Sequence, residues 1–268
     1  IEPGDWSSDV CSSDLSNLYK TYTRRGEEFN AVDNVEFFAW SGDFSVIYGE
    51  SGSGKSTLLS LLSGINRPSQ GSIIFNGVDF ASLTDAELSA IRNDKIGYIP
   101  QESVFLPQFT VLENIFLPRA IREGNKVEVR DISELVDIDI HSKLETLGIV
   151  HLVNEMPAEL SGGELKRASI VRALVNNPDI VIADEPTSNL DETNAKIVFD
   201  LLGELAQSGT SVLVATHDPR GFKYGDRIYT MHKGRLLPNG ESAEYILNVC
   251  GFLILAGIIL DKMGVRFT

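Results

Sequence analysis

Eight consecutive residues, Gly49-Glu50-Ser51-Gly52-Ser53-Gly54-Lys55-Ser56, fit the spacing GxxxxGK[ST], whose chemistry is the cradling of a phosphate chain. Several backbone N–H groups must converge on the phosphate oxygens, so the chain has to curl where a Cβ would obstruct it. Gly49, Gly52 and Gly54 stand at those places. Lys55 brings a point charge to the β and γ phosphates, and Ser56 offers a hydroxyl to Mg²⁺. A helix continuing through Thr57 would aim its positive dipole end at the same anion. The ligand class is a nucleoside triphosphate.

Such a loop needs carboxylates at the end of a neighbouring strand, and Asp179-Ile180-Val181-Ile182-Ala183-Asp184-Glu185-Pro186 supplies them. The apolar run delivers Asp184 to the metal, while Glu185 can polarise an attacking water. Further upstream, Leu160-Ser161-Gly162-Gly163-Glu164 places a serine and two glycines at a helix start, a second anion-binding nest. Two nests so far apart in one sequence call for more than one phosphate-binding surface.

The elements that must position these groups can be read from pattern. Phe44-Ser45-Val46-Ile47-Tyr48 is a short β-rich run suited to a buried strand, and residues 57–62 continue as a helix with an apolar face. Residues 71–77 form a strand closed by an Asn-Gly turn. Thr84-Asp85-Ala86-Glu87 has capping-box spacing and opens a helix expected to reach about Ile91. A strand follows at residues 96–99, and others at 180–183, 211–215 and 227–231, with a helix between the first two of these last three. Residues 103–159 are mostly helical in pattern, with charged faces and Leu/Ile/Val stripes, and read as an inserted helical lobe.

A chain of 268 residues holds one large α/β domain with an insertion, and is too short for two such domains in tandem. The formal charge of −15 and the lack of clustered Lys and Arg argue against a nucleic-acid surface. Cys11 and Cys250, near opposite ends, indicate neither a disulfide framework nor a metal site, which suits a reducing setting where ATP is plentiful. Residues 1–14 repeat Ser-Ser-Asp without apolar periodicity and read as a non-native or disordered arm, in the manner of translated adapter sequence. Residues 241–268 form a tail of uncertain status whose run at 249–260 is unbroken apolar, short of the ~20 residues a spanning helix needs. A docked helix, a truncated end and the first turns of a transmembrane segment all remain open for it.

The pentapeptide at residues 160–164, followed by Leu165-Lys166-Arg167-Ala168-Ser169-Ile170-Val171-Arg172-Ala173-Leu174, resembles the signature motif and helix of ATP-binding cassette (ABC) transporter ATPases. The resemblance covers about Leu15 to Arg235, within a single ATPase domain at residues 15–240. It implies an α/β P-loop NTPase with a mainly parallel core sheet, an antiparallel β subdomain near the N-terminus and the helical lobe. It also implies ATP and Mg²⁺ as ligands. Gln101 resembles the glutamine that contacts Mg²⁺ and reports nucleotide state to the lobe, Ser188-Asn189-Leu190-Asp191 resembles the loop crossing the dimer interface, and His217 resembles the switch histidine at the γ-phosphate. Tyr22 resembles the aromatic that stacks on adenine, with Tyr19 as its competitor. Glu185, His217 and Lys55 would then be catalytic, Ser56, Gln101 and Asp184 would serve the metal, and residues 49–57 would hold nucleotide. Ser161, Gly162, Gly163 and Glu164 would close over ATP held by a second, similar subunit.

The family's partners are an integral-membrane permease and a second ATPase subunit, expected to be another copy of this chain, at the cytoplasmic face of the membrane. Leu112-Glu113-Asn114-Ile115 and residues 183–191 look most like the bacterial subgroup of lipoprotein release, macrolide efflux, antimicrobial-peptide resistance and cell division. Ser188 stands where that subgroup often has Gly, and Leu165-Lys166 replaces a more usual Gln pair. Two other classes compete: a soluble cassette acting on ribosomes or DNA, and a regulator signalling by ATP occupancy. Compact motif spacing in a single cassette speaks against the first, and an intact Glu185 and His217 against the second.

Overall fold

The structure is a computed structural model and describes residues 11–124 and 138–238. Strands β1 (Cys11–Arg24) and β2 (Glu27–Trp40) form a long antiparallel hairpin. Its turn residues, Arg25 and Gly26, both have positive φ, the geometry that matches strand twist in a two-residue turn. Strand β1 pairs on its other side with β4 (Gln70–Phe75), which turns through Asn76 and Gly77 into β5 (Val78–Asp79). The four strands make one antiparallel sheet in the order β2-β1-β4-β5.

Residues 11–14, which the sequence pattern assigns to an N-terminal arm, are strand. Pairing starts at Cys11 opposite Trp40, and Ser13 lies between Ala39 and Phe75. Periodicity was the wrong guide there, because two flanking strands satisfy the backbone of β1 whatever its side chains are. Residues 1–10 lie outside the described residues, as does the whole of the tail from position 241, including the apolar run at 249–260.

A six-stranded sheet holds β3 (Phe44–Tyr48), β6 (Ile96–Ile99), β7 (Ile180–Asp184), β8 (Ser211–Thr216), β9 (Arg227–His232) and β10 (Arg235–Pro238). Its order is β10-β9-β3-β8-β7-β6, parallel except for the β9–β10 edge pair. Both faces are covered, so β7 and β8 are buried along their entire length. Ile47, Ile180, Ile182 and Leu213 point into a core shared with the antiparallel sheet and helix α1 (Lys55–Leu62). Their strand neighbours Val46, Val181, Ala183, Val212 and Val214 point the other way, towards α5 (Gly162–Leu174) and α6 (Glu192–Gln207).

Helix α2 (Asp85–Lys95) opens with the expected Thr84–Glu87 capping box but runs past Ile91. Arg92 and Lys95 occupy its last turn, where cations suit the dipole, and Arg92 also donates to the carbonyl of Gly64 at 2.8 Å. Within residues 103–159 the structure describes α3 (Val111–Arg122), α4 (Ile138–Thr146) and short 3-10 turns at Val150–Leu152 and Pro157–Glu159. The stretch from 103 to 110 is irregular instead of helical. Buried Asn114 organises it, accepting from the Leu106 N–H and donating to the carbonyls of Leu106, Phe109 and Thr110. Among the described residues no helix is long and apolar enough to cross a membrane.

Candidate nucleotide site

A cavity of about 730 Å³ opens where β3, β7 and β8 end, lined by every residue from 49 to 57 together with Gln101, Asp184, Glu185 and His217. The loop between β3 and α1 is closely packed by neighbouring strands. A Cβ on Gly49 would sit 2.4 Å from the carbonyl oxygen of Met231, and one on Gly54 2.2 Å from that of Ala31. Gly52 has open space around it, and its φ of +79° is what asks for glycine. Lys55 is buried and curls back over the loop, its Nζ donating to the carbonyls of Gly49 at 2.6 Å and Glu50 at 3.0 Å. Burial pushes the Lys55 ammonium below its usual range, while the nearby charges of Glu185 and Asp184 pull it back up.

Asp184 ends β7, 3 % exposed, with an Oδ1 that has no hydrogen-bond partner. Burial raises its pKa and Glu185 adds to the rise, against a hydrogen bond from Ser56 and the charges of Lys55 and Lys166. A free, buried carboxylate oxygen beside a serine hydroxyl fits a hard cation such as Mg²⁺, whose preferred ligands are oxygens. Glu185 follows with φ +48°, a left-handed conformation that costs a β-carbon residue about 1–2 kcal/mol. That turn sends the side chain across to β8. Its Oε2 accepts from the Thr216 hydroxyl at 3.1 Å, and its Oε1 lies 2.8 Å from Nδ1 of His217, whose ring is mostly exposed to the cavity.

Tyr22 also lines the cavity, with its ring 6.1 Å from that of Phe29. Tyr19 is not among the lining residues. Phe29, Asn30, Ala31, Lys233 and Gly234 line it as well, and sequence reasoning missed them. Their positions on the β1–β2 hairpin and the β9–β10 turn follow no motif spacing. One available signal was Phe29 itself, an aromatic near a hairpin turn that ends up largely exposed.

The second anion nest stands elsewhere. Ser161, Gly162 and Gly163 line a separate cleft of about 500 Å³ with Arg167, Asn189, Leu190, Asp191 and Asn194. Ser161 caps α5: its hydroxyl accepts from the Glu164 N–H at 3.3 Å, and the Glu164 carboxylate in turn accepts from the Ser161 N–H at 2.8 Å and its hydroxyl at 2.7 Å. Those bonds from Ser161 hold the Glu164 carboxyl below its usual range. Asp191 caps α6 by accepting from the Asn194 N–H at 2.8 Å. One chain therefore brings together the loop, the carboxylates, Gln101 and His217, and leaves Ser161, Gly162, Gly163 and Asp191 on another surface. Between the two sites lies Lys166, whose burial pushes its pKa down to about 8.

Residues 32–188 match the family described as ABC transporter. The chain belongs to this family. It is 44% identical over 227 residues to the lipoprotein-releasing system ATP-binding protein LolD of Buchnera aphidicola subsp. Schizaphis graminum, a match that takes in 83% of this chain and 95% of that one. Its fold is similar to two solved structures of the cassette MJ0796, one a dimeric post-hydrolysis state bound to ADP and Pi, the other a dimeric bacterial ABC transporter cassette. Each superposes with a TM-score of 0.78 at 34% identity, over 84% of this chain and 96% of the other. This ABC protein is an ATP-binding and ATP-hydrolysing subunit, and the expected α/β cassette fold is the one observed.

Proposed function

We propose that the chain powers a membrane permease as a head-to-tail dimer, each copy closing its Ser161 face over ATP held in the other copy's 49–57 loop. The observation that carries this is the separation of the two half-sites, one in the loop cavity and the other in the Asp191 cleft. In this reading Lys55 and the loop amides hold the phosphates of ATP, and Tyr22 offers its ring to the base. Ser56, Gln101 and Asp184 would hold Mg²⁺, which would supply charge neutralisation at the phosphates. Glu185 takes the proton of the water that attacks the γ-phosphorus as the bond to the β-phosphate oxygen breaks. His217 holds that carboxylate through Nδ1 and presents the rest of its ring to the γ-phosphate.

A substitution on the second face tests the arrangement. Ser161→Glu adds a carboxylate where the partner's phosphates would arrive, so the variant should bind ATP normally at its own loop yet show no ATP-dependent dimer in sedimentation. An unimpaired dimer would sink the head-to-tail reading.

The permease would dock beside the irregular 103–110 stretch, at the cytoplasmic face of the membrane. Val104 is 71 % exposed there and Leu106 is exposed too, an apolar pair on the segment that continues from Gln101. The 44% identity to a lipoprotein-releasing ATP-binding protein supports a permease of that kind. With Val104 and Leu106 both replaced by Asp, ATP turnover should persist while co-purification with the permease is lost. Retention of the permease by that double variant would refute the docking surface.

A further inference from the structure

Helix α5 turns three polar side chains towards one short stretch of chain after β6. Lys166 Nζ donates to the carbonyls of Pro100 at 2.9 Å and Gln101 at 2.7 Å. Ser103 donates to the Ser169 hydroxyl at 3.1 Å. Arg172 donates to the carbonyl of Val104 at 2.7 Å, with its guanidinium 4.5 Å from the Phe105 ring centre. The three positions follow the i, i+3, i+6 spacing of a single helix face.

Lys166 is the member of this row that chemistry makes most informative. It is 1 % exposed, and burying an ammonium costs several kcal/mol unless partners replace its water. Two main-chain carbonyls do so, with the carboxylates of Asp184 and Glu185 as nearby charges. A methionine of similar length would fill the same space without that cost, so what the ammonium adds at this position is its donors. Those donors connect two things that matter to turnover. One is the backbone of Gln101, which lines the loop cavity; the other is the helix whose start lines the second cleft.

We propose that Lys166 is a positioning residue for ATP hydrolysis, fastening the Gln101 segment to α5 so that Gln101 keeps its place relative to the helix that bears the Ser161 face. The inference rests on the two half-site reading above. It assigns Lys166 no contact with ATP.

The test compares the unaltered chain with Lys166→Met, which removes the donors, and Lys166→Gln, which keeps an amide donor. Misplacement of a catalytic group costs about ten- to a hundredfold in rate, so Lys166→Met should lower kcat by at least ~10-fold. KM for ATP should stay within about twofold, because no phosphate contact is removed. Lys166→Gln should recover most of the lost kcat. A raised KM with unchanged kcat would overturn the proposal, as would wild-type kinetics in both variants. So would a Gln variant as slow as the Met variant, because the effect would then belong to charge and not to the tie.

Should Lys166→Met fail to fold, amide hydrogen exchange of the unaltered chain decides. Adding ATP must slow exchange at residues 101–105 and 162–165 together, and a response confined to the first stretch refutes the linkage. Glu185→Gln measured alongside reports on the site itself: wild-type turnover there would remove the underlying reading, whatever the Lys166 variants do.

Discussion

Glu185→Gln should reduce ATP turnover by about 10²- to 10⁴-fold, the usual contribution of a positioned general base, equivalent to about 3–5 kcal/mol of barrier. The amide fills the same space and can still accept from the Thr216 hydroxyl, so the local fold should be kept. What it cannot do is take up a proton from water. ATP affinity should be unchanged, because the phosphate contacts proposed for residues 49–57 are left intact, and an ATP-loaded dimer should accumulate for want of the step that reopens it. Steady-state turnover, equilibrium nucleotide titration and sedimentation with ATP check the three parts separately. Full turnover would refute the base assignment. Slow turnover without a dimer would leave the base in place and refute closure over ATP.

Lys55→Ala should act one step earlier. Removing one partner of a buried charged contact costs about 2–5 kcal/mol, so the Kd for ATP should rise at least ~30-fold and turnover should fall to background. The substitution also takes away the two bonds from Nζ to the Gly49 and Glu50 carbonyls. Asp184, whose pKa burial already raises, would lose one of the cations that oppose the rise and would protonate more readily. Titration with a fluorescent ATP analogue measures the affinity, and thermal unfolding establishes that the variant is folded. Unaltered affinity in a folded variant would show that the phosphates lie somewhere other than against this loop.

Much of the site could be read from the sequence because its chemistry is local. The 49–56 spacing, the strand ending in Asp184 and Glu185, and the capping of α5 by Ser161 each depend on neighbours a few residues away. Long-range packing hid the rest. Nothing in the composition of residues 11–14 announces a strand, since its partners come from residues 38–40 and 74–75. The irregular 103–110 stretch looked helical because its order comes from one buried side chain, Asn114, rather than from periodicity. Lys166 read as a departure from a usual Gln pair. Its role as a buried donor became visible only once α5 was placed against the chain after β6.

The crowding around Gly49 and Gly54 bears on the entropy of binding. The backbones of Met231 and Ala31 press against the loop at Gly49 and Gly54, and Gly234 donates from its N–H to the Ser53 carbonyl at 2.8 Å. Strand residues therefore hold the curl in shape. A nucleotide arriving at such a loop has little disorder to remove, and preorganisation of this kind leaves more of the contact energy available as affinity. Conformational cost would then fall on the union of two chains, where regulation could act without disturbing the grip on phosphate.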